Sequence, residues 1–402
     1  MLTALVFCAL NFNSMLGPLS VLAFLAAGLC IGAMQVQLAL DAMMRWWLVL
    51  VLPAYCLVSI AWSQFPEATF RYSLQLALTM VIGLWIATRV SPRNLVRALF
   101  FAFLVATLVG LVVARSTGGG AWLGIFGSKN AFAAHIALQI LIATGIVLDG
   151  AERKDLRLLA LGTGALSIPL LIMAQSAGAL VVTGPCVLAM VLVALSSFTT
   201  GPQKLFLVVA AALLAVALAT IAIQFGDALL AGALDATGKD VTLTGRTDLW
   251  TLGIELIQQN PWLGVGYKAF WIPGFPLAEQ LWAMFGVSSG AGFNFHNTYI
   301  SNAVEVGLVG LAIQLVLIYV PFFLLLWLAF FRPEPYVAFL LGIQLMLILR
   351  SLLEVEVFYE FSGRTILAIC TYVHAMVLYR NLRGEAMERQ STMPWPMRSV
   401  RS

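Results

Sequence analysis

The sequence predicts an all-α polytopic membrane protein with about 11–12 transmembrane helices and one long extracytoplasmic loop. Three observations carry that prediction. Hydrophobic residues make up 61% of the 402 positions and charged residues only 10%, too few to cover the outside of a water-soluble globule of this length. The apolar runs approach the roughly 20 residues a helix needs to cross a bilayer. They are glycine-rich and evenly apolar, without the alternation of a barrel strand, and an unpaired backbone is costly in lipid, so each run reads as a helix.

The runs fall near 15–35, 46–63, 71–88, 95–114, 129–148, 156–173, 178–198, 205–225, 296–330, 336–352 and 364–380. The stretch 1–12 is apolar but short, and Asn11, Asn13, Gly17 and Pro18 mark a turn after it. It lacks the basic flank and small-residue cleavage pattern of a signal peptide and is read as a retained first span. The chain accordingly divides into N-terminal spans (1–225), an extracytoplasmic loop with a short amphipathic helix (226–295), C-terminal spans (296–380) and a flexible cytoplasmic tail (381–402).

Twelve spans starting in the cytoplasm place 14 of the 22 basic residues in inner connections, among them Arg45, Arg93, Arg97, Arg153, Lys154, Lys204, Arg332 and the Arg-rich C-terminus. The net charge of +4 is too dispersed for a nucleic-acid groove. Five cysteines at long spacings in apolar segments read as packed small hydrophobes. Three widely separated histidines give no metal-ligand motif, so no metal or other cofactor is expected. Gly118–Gly120 belongs to a loop, not to a phosphate-binding strand–helix turn.

The long connection concentrates the polar chemistry. Thr244 can cap a helix in which Trp250, Ile254 and Ile257 recur at helical spacing, and Pro261 ends it; the helix either lies along the membrane surface or closes the bundle as scaffold. Arg246 in Thr244-Gly245-Arg246-Thr247-Asp248 is a candidate phosphate ligand, since a guanidinium grips two oxygens in fixed geometry. A local Arg246–Asp248 pair is the plainer reading. Lys268, after Asn260-Pro261-Trp262-Leu263-Gly264-Val265-Gly266-Tyr267, adds positive potential. His296, in Asn294-Phe295-His296-Asn297-Thr298-Tyr299, stands where the loop enters a span, and an imidazole reachable from water there can accept a proton near neutral pH. His135 and His374 lie inside apolar spans and are expected to be packed. Glu354, Glu356 and Glu360 form an acidic cluster with Arg350 and Arg364, which either binds sugar hydroxyls or is a solvated ion-pair network.

These stretches, together with Gly124-Ile125-Phe126-Gly127-Ser128-Lys129-Asn130 and Glu305-Val306-Gly307-Leu308-Val309-Gly310, resemble the bacterial O-antigen ligase and polysaccharide polymerase superfamily, most of all its ExoQ-like exopolysaccharide polymerases. The resemblance covers most of the chain and is strongest between Gly124 and Gly310. It implies a membrane glycosyltransferase of the bacterial inner membrane, acting at the periplasmic face on a polyprenyl-diphosphate-linked glycan donor and a glycan acceptor. It makes Arg246 a donor-phosphate ligand, His296 the general base and Lys129 a basic site residue. Lys268, Arg350, Tyr267 and Asn297 are further substrate-binding candidates, with Glu305 and Asp248 behind them. A repeat-unit flippase or chain-length regulator is the implied partner. The sequence departs from the family at Ala174-Gln175-Ser176-Ala177-Gly178, where many relatives carry a basic residue; Lys129, Lys268 or Arg350 is expected to compensate for Ala177. The expected reaction is polymerisation of lipid-linked repeats. Transfer to lipid-A core or protein is the alternative with the same donor chemistry, and a polysaccharide-lipid transporter is the non-enzymatic one.

Overall fold

The computed structural model describes residues 1–204 and 244–392. The expected span at 205–225, the loop residues 226–243 and the end of the tail lie outside the described residues. Those described are all-helical apart from a single isolated bridge between Ser116 and Trp122. The helices are α1 (Leu2–Asn11), α2 (Pro18–Ala33), α3 (Val36–Arg45), α4 (Trp47–Val58), α5 (Pro66–Arg89), α6 (Pro92–Val113), α7 (Lys129–Leu148), α8 (Lys154–Met173), α9 (Ala177–Ser196), α10 (Thr244–Gln259), α11 (Pro276–Met284), α12 (Thr298–Phe331), α13 (Pro335–Ser351) and α14 (Gly363–Thr392).

Seven of these, α5 to α9, α12 and α14, are long and apolar enough to cross a membrane. The protein is therefore a polytopic, all-α membrane protein. The expected run at 15–35 is a broken one: α2 and α3 meet at 95°, and the pair would make an eighth span. Three further apolar helices, Leu2–Asn11, Trp47–Ala61 and Pro335–Ser351, are shorter.

Helix ends sort the connections into two groups. At one end Arg93 forms a bidentate pair with Asp149 (2.7 and 3.2 Å) and Arg97 with Glu152 (2.8 and 2.9 Å), tying the start of α6 to the turn after α7. Arg89 donates to Gln35 O (2.8 Å) and Lys204 to Phe330 O (3.3 Å) at that same end. At the other end gather the connections 59–65, 114–128, 174–176, 260–297 and 352–362, which with the adjoining helix ends form the site described below.

Burial separates central from peripheral helices. α7 is the most enclosed of the long helices, and α8 is the least, with Leu158, Leu161, Ile168 and Ile172 exposed on its outer face. In lipid these leucines need no cover, and helices associate through close packing. Gly342 on α13 shows how close: a Cβ there would lie 2.5 Å from the Met190 side chain on α9. His135 and His374 are packed, as expected. His135 is buried and stacked on Phe103 (4.6 Å, 1°), with Nε2 3.0 Å from Thr107 Oγ1, and His374 Nε2 lies 3.0 Å from Val90 O. The cysteines are free; Cys56, Cys186 and Cys370 are buried, whereas Cys30 is exposed.

A second apolar cluster lies outside the bundle. Leu249, Phe270, Phe275, Ala278, Leu281, Trp282, Phe295 and Val304 bury one another, with Leu252, Leu256 and Ile257 of α10 against them. The inward face of α10 is thus Leu249, Leu252, Gly253, Leu256 and Ile257, a 3-4-3-4 helical repeat. Ile254, expected on that face, points outward and is half exposed, because the stripe is set one residue earlier by Leu249 and Gly253.

The expected run 296–330 is one helix, α12, with a break. Gly307 has φ +65° and ψ −176°, and the freed backbone is taken up by the segment 261–266: Val265 and Gly266 donate to Val304 O and Glu305 O (3.0 and 2.9 Å), while Leu308 and Val309 donate to Pro261 O and Trp262 O (2.8 and 3.3 Å). A Cβ on Gly264 would sit 2.6 Å from Glu305 O, and one on Gly307 would collide with Trp262 O. Both glycines are therefore required for this backbone-to-backbone contact.

Candidate active site

The site is assembled from five segments at one end of the bundle. α7 begins in it. Arg115 donates to Gly124 O and Phe126 O (3.0 and 2.7 Å), folding the Gly124–Ser128 stretch, and Ser128 caps the helix by accepting from Ala131 N (3.1 Å). Lys129 and Asn130 are then the first two residues of α7. α9 begins beside it: Lys129 Nζ reaches Gln175 O (3.4 Å), and Ser176 Oγ donates to Asn130 Oδ1 (3.2 Å). Two helix N-termini with their unpaired amides and positive macrodipole ends thus meet next to a lysine.

Arg246, in the first turn of α10, points away from its own helix toward the connection after α13. It donates through Nη1 to Leu353 O (3.2 Å) and through Nη2 to Glu354 Oε1 (2.9 Å). Asp248, offered by the sequence as its local partner, is exposed on α10.

His296 is held in an unusual backbone, φ +48°, a left-handed conformation that a non-glycine residue adopts only where the surroundings impose it. Its N–H donates to Asn294 Oδ1 (2.7 Å), Trp250 fixes the neighbouring Phe295 carbonyl (2.8 Å), and Asn297 caps α12 by accepting from Tyr299 N and Ile300 N (2.9 and 3.1 Å). His296 Nδ1 lies 2.9 Å from Glu354 Oε2.

Glu354 is the residue that the sequence had left in an undifferentiated acidic cluster. One carboxylate joins Arg246, His296 and Asn130, whose Nδ2 donates to Oε1 at 2.8 Å. Thr298 Oγ1 donates to the Glu354 carbonyl (2.8 Å), and Asn297 Nδ2 to Leu352 O (3.2 Å), so the connection is pinned to the start of α12. Burial alone would raise the Glu354 carboxyl, but the hydrogen bond and charge of His296 and the guanidinium charges of Arg246 and Arg350 outweigh it and hold it below the usual carboxylate range. The side chains of Arg246, Glu354 and His296 are 22%, 17% and 26% exposed, so the triad is open on one side.

The remaining candidates lie in a second group, in which Arg350, Tyr267 and Glu305 are buried. Arg350 is 4% exposed and bound to Glu356 (2.7 Å), which also pairs with Arg364 (2.8 Å). Tyr267 donates to Phe358 O (3.1 Å) and approaches Glu360 (3.4 Å). Lys268 Nζ lies 3.8 Å from Glu360, and its backbone N–H donates to Glu305 Oε2 (3.1 Å). Burial pushes the Lys268 ammonium down, but Glu360 and Glu305 more than offset that. Glu305, expected behind His296, is thereby engaged at the α12 break instead. Among the described residues no three His, Cys, Asp or Glu side chains converge as a metal cluster.

This geometry can be set beside known proteins. The family model described as O-antigen ligase matches residues 162–315, from α8 across Arg246 and His296 into α12. The exopolysaccharide production protein ExoQ of Rhizobium meliloti (strain 1021) is 28% identical over 392 residues, covering 96% of this chain and 88% of that protein. The chain is similar to the O-antigen ligase family over this segment and to ExoQ over nearly its whole length. With seven long apolar helices among its described residues and these likenesses, it is a multi-pass protein of the inner membrane. Within the superfamily match, Arg246 and His296 share one carboxylate although 50 positions apart, and the third party, Glu354, lies beyond the matched segment.

Proposed function

We propose that the protein polymerises polyprenyl-diphosphate-linked oligosaccharide repeats, transferring a growing glycan from its lipid diphosphate to a hydroxyl of the next lipid-linked repeat. The observation that carries the reading is Glu354, which holds an imidazole and a guanidinium on one carboxylate at an open end of the bundle. With Nδ1–H donated to Glu354, the ring presents Nε2 as the basic nitrogen and keeps its orientation. Nε2 takes the proton of the acceptor hydroxyl as the oxygen attacks the donor anomeric carbon. The new glycosidic C–O bond forms as the bond to the diphosphate oxygen breaks, the diphosphate leaves with the electron pair, and the histidine returns its proton to water. A single displacement of this kind inverts the anomeric centre. Arg246 stabilises the charge gathering on the departing diphosphate.

Lys129 is the best-placed substitute for the basic residue missing at Ala177. It reaches the carbonyl of Gln175, two residues away, and stands at the joined N-termini of α7 and α9. Arg350 is committed to the buried Glu356, and Lys268 faces the half-buried Glu360. Eleven or twelve crossings, with the site end outside, fit the basic residues Arg93, Arg97, Lys204 and Arg332 at the opposite end. Similarity along nearly the whole chain to a protein of exopolysaccharide production supports the reading of glycan elongation.

The test is reconstitution of the purified protein with lipid-linked repeats and mass analysis of the products. A ladder of added repeats, lost in folded Arg246→Ala and His296→Ala, is expected. Normal elongation by both variants overturns the assignment, and transfer to core oligosaccharide or polypeptide in place of the repeat would make the protein a ligase.

A further inference from the structure

The apolar cluster outside the bundle does more than fold the 260–297 segment. Four of its rings are enclosed, Phe270, Phe295 and Trp282 almost completely, while Phe65, Trp271, Phe285 and Phe293 are partly buried. Among the half-buried rings Phe293 is the one beside the imidazole: its ring centroid lies 5.9 Å from that of His296, at 76°. Trp271 and Phe285 back it at 5.2 and 5.5 Å, and Trp271 is itself braced by Trp282 and Phe295 at 6.0 and 5.0 Å. Phe293 is thus the ring at which a cluster of edge-on and tilted aromatic contacts meets the imidazole.

The chain leading to it turns through two glycines and is tied to α11. Gly290 and Gly292 carry positive φ (+73° and +77°), and Ser289 is latched to Glu279 (2.8 Å), which also accepts from Gly274 N (3.0 Å). A pyranose has one face of C–H bonds and a rim of hydroxyls. An aromatic ring with a fixed, polar, proton-accepting neighbour matches both parts.

We propose that Phe293, supported by Trp271, is the platform on which the acceptor sugar stacks, setting one rim hydroxyl toward His296 Nε2. The proposal rests on the glycan-transfer reading above and adds its acceptor subsite. Phe293 is a positioning residue: proton and leaving group remain with His296 and Arg246. Stacking reads the orientation of ring C–H bonds, so the platform also selects among sugars with differently placed axial hydroxyls.

The experiment uses the full-length protein in lipid nanodiscs with two readouts. The first is elongation kinetics with the lipid-linked oligosaccharide extracted from cells lacking this protein. The second is saturation-transfer NMR with methyl β-D-galactopyranoside and methyl β-D-glucopyranoside, irradiating aromatic protons. Phe293→Ala is expected to raise the acceptor KM at least tenfold with a much smaller change in kcat, and to abolish saturation transfer to the ring C–H protons, while Phe293→Trp restores both. Arg246→Ala is expected to stop elongation and keep the saturation transfer. Wild-type constants in Phe293→Ala, or a loss in kcat and KM that Phe293→Trp does not restore, overturns the platform. Failure of the wild type to elongate while Phe293-dependent saturation transfer persists defeats the polymerase reading and leaves the sugar platform standing. Absence of both defeats both.

Discussion

Glu354→Gln isolates the central charge with almost no change in shape. In the wild type the carboxylate accepts from Arg246, Asn130 and His296 at 2.9, 2.8 and 2.9 Å. An amide has one acceptor oxygen and turns an NH2 toward the other side. Either Arg246 or the imidazole Nδ1–H then faces a donor. Hydrogen bonds to a charged partner contribute about 1.5–3 kcal/mol each, so losing one and weakening another lowers stability by about 2–4 kcal/mol. The effect on turnover is larger, because the imidazole loses the partner that fixes its tautomer; neutralising an orienting carboxylate of this kind elsewhere costs ~10⁴-fold. We expect kcat/KM for elongation to fall ~10³-fold, about 4 kcal/mol at the transition state. The pH dependence supplies a second check. Because the folded Glu354 carboxyl lies below its unfolded value, its contribution is present above the ordinary carboxylate range and is lost as pH falls through the folded value. The wild-type advantage in Tm over Glu354→Gln should therefore hold at neutral pH and shrink below about pH 4. Elongation by Glu354→Gln at the wild-type rate, with an unchanged acid melting profile, would refute the assignment of Glu354 as the orienting carboxylate.

Four further outcomes are expected. Lys129→Ala should raise the donor KM about tenfold, whereas Lys268→Met should leave the donor KM unchanged and lower thermal stability, since Glu360 and Glu305 lose their cation; steady-state kinetics and a melt of each variant separate the two lysines. Gly307→Ala forces a side chain onto Trp262 O in a left-handed backbone and should cost on the order of 3 kcal/mol or prevent assembly, read by size exclusion and melting in detergent. Arg350→Met should cost about 3 kcal/mol, less than for an isolated buried pair because Arg364 continues to neutralise Glu356, and Tm is the measure. Asp149→Asn, at the opposite end and paired with an Arg whose side chain is 41% exposed, should change Tm little and leave elongation intact.

The spans were legible because lipid enforces a one-dimensional rule: an uninterrupted apolar run must become a helix, and the boundaries of α5, α7, α9 and α13 fall within a few residues of the runs that announced them. Arg246 and His296 stand out in the sequence as unusual residues in polar surroundings and as positions that the resemblance singles out. Glu354 does not, since its role exists only in three dimensions, where its partners are 224, 108 and 58 positions away. For Arg350 the sequence leaves open both a substrate contact and an ion-pair network, and its enclosure by Glu356 is visible only in the fold. The outward turn of Ile254 reflects a stripe shifted by one residue, which no periodicity distinguishes when Leu249, Trp250 and Ile254 are all apolar.

The break in α12 has a consequence for how the protein enters the bilayer. A helix inserted alone would carry unpaired amides at Leu308 and Val309 into hydrocarbon, because their acceptors belong to Pro261 and Trp262. Those residues precede α12 in the chain, so synthesis delivers the acceptors before the donors that need them. The 261–266 turn and the start of α12 therefore constitute one unit of biogenesis, and a chimera that exchanges the loop between relatives must carry the first three turns of this span with it.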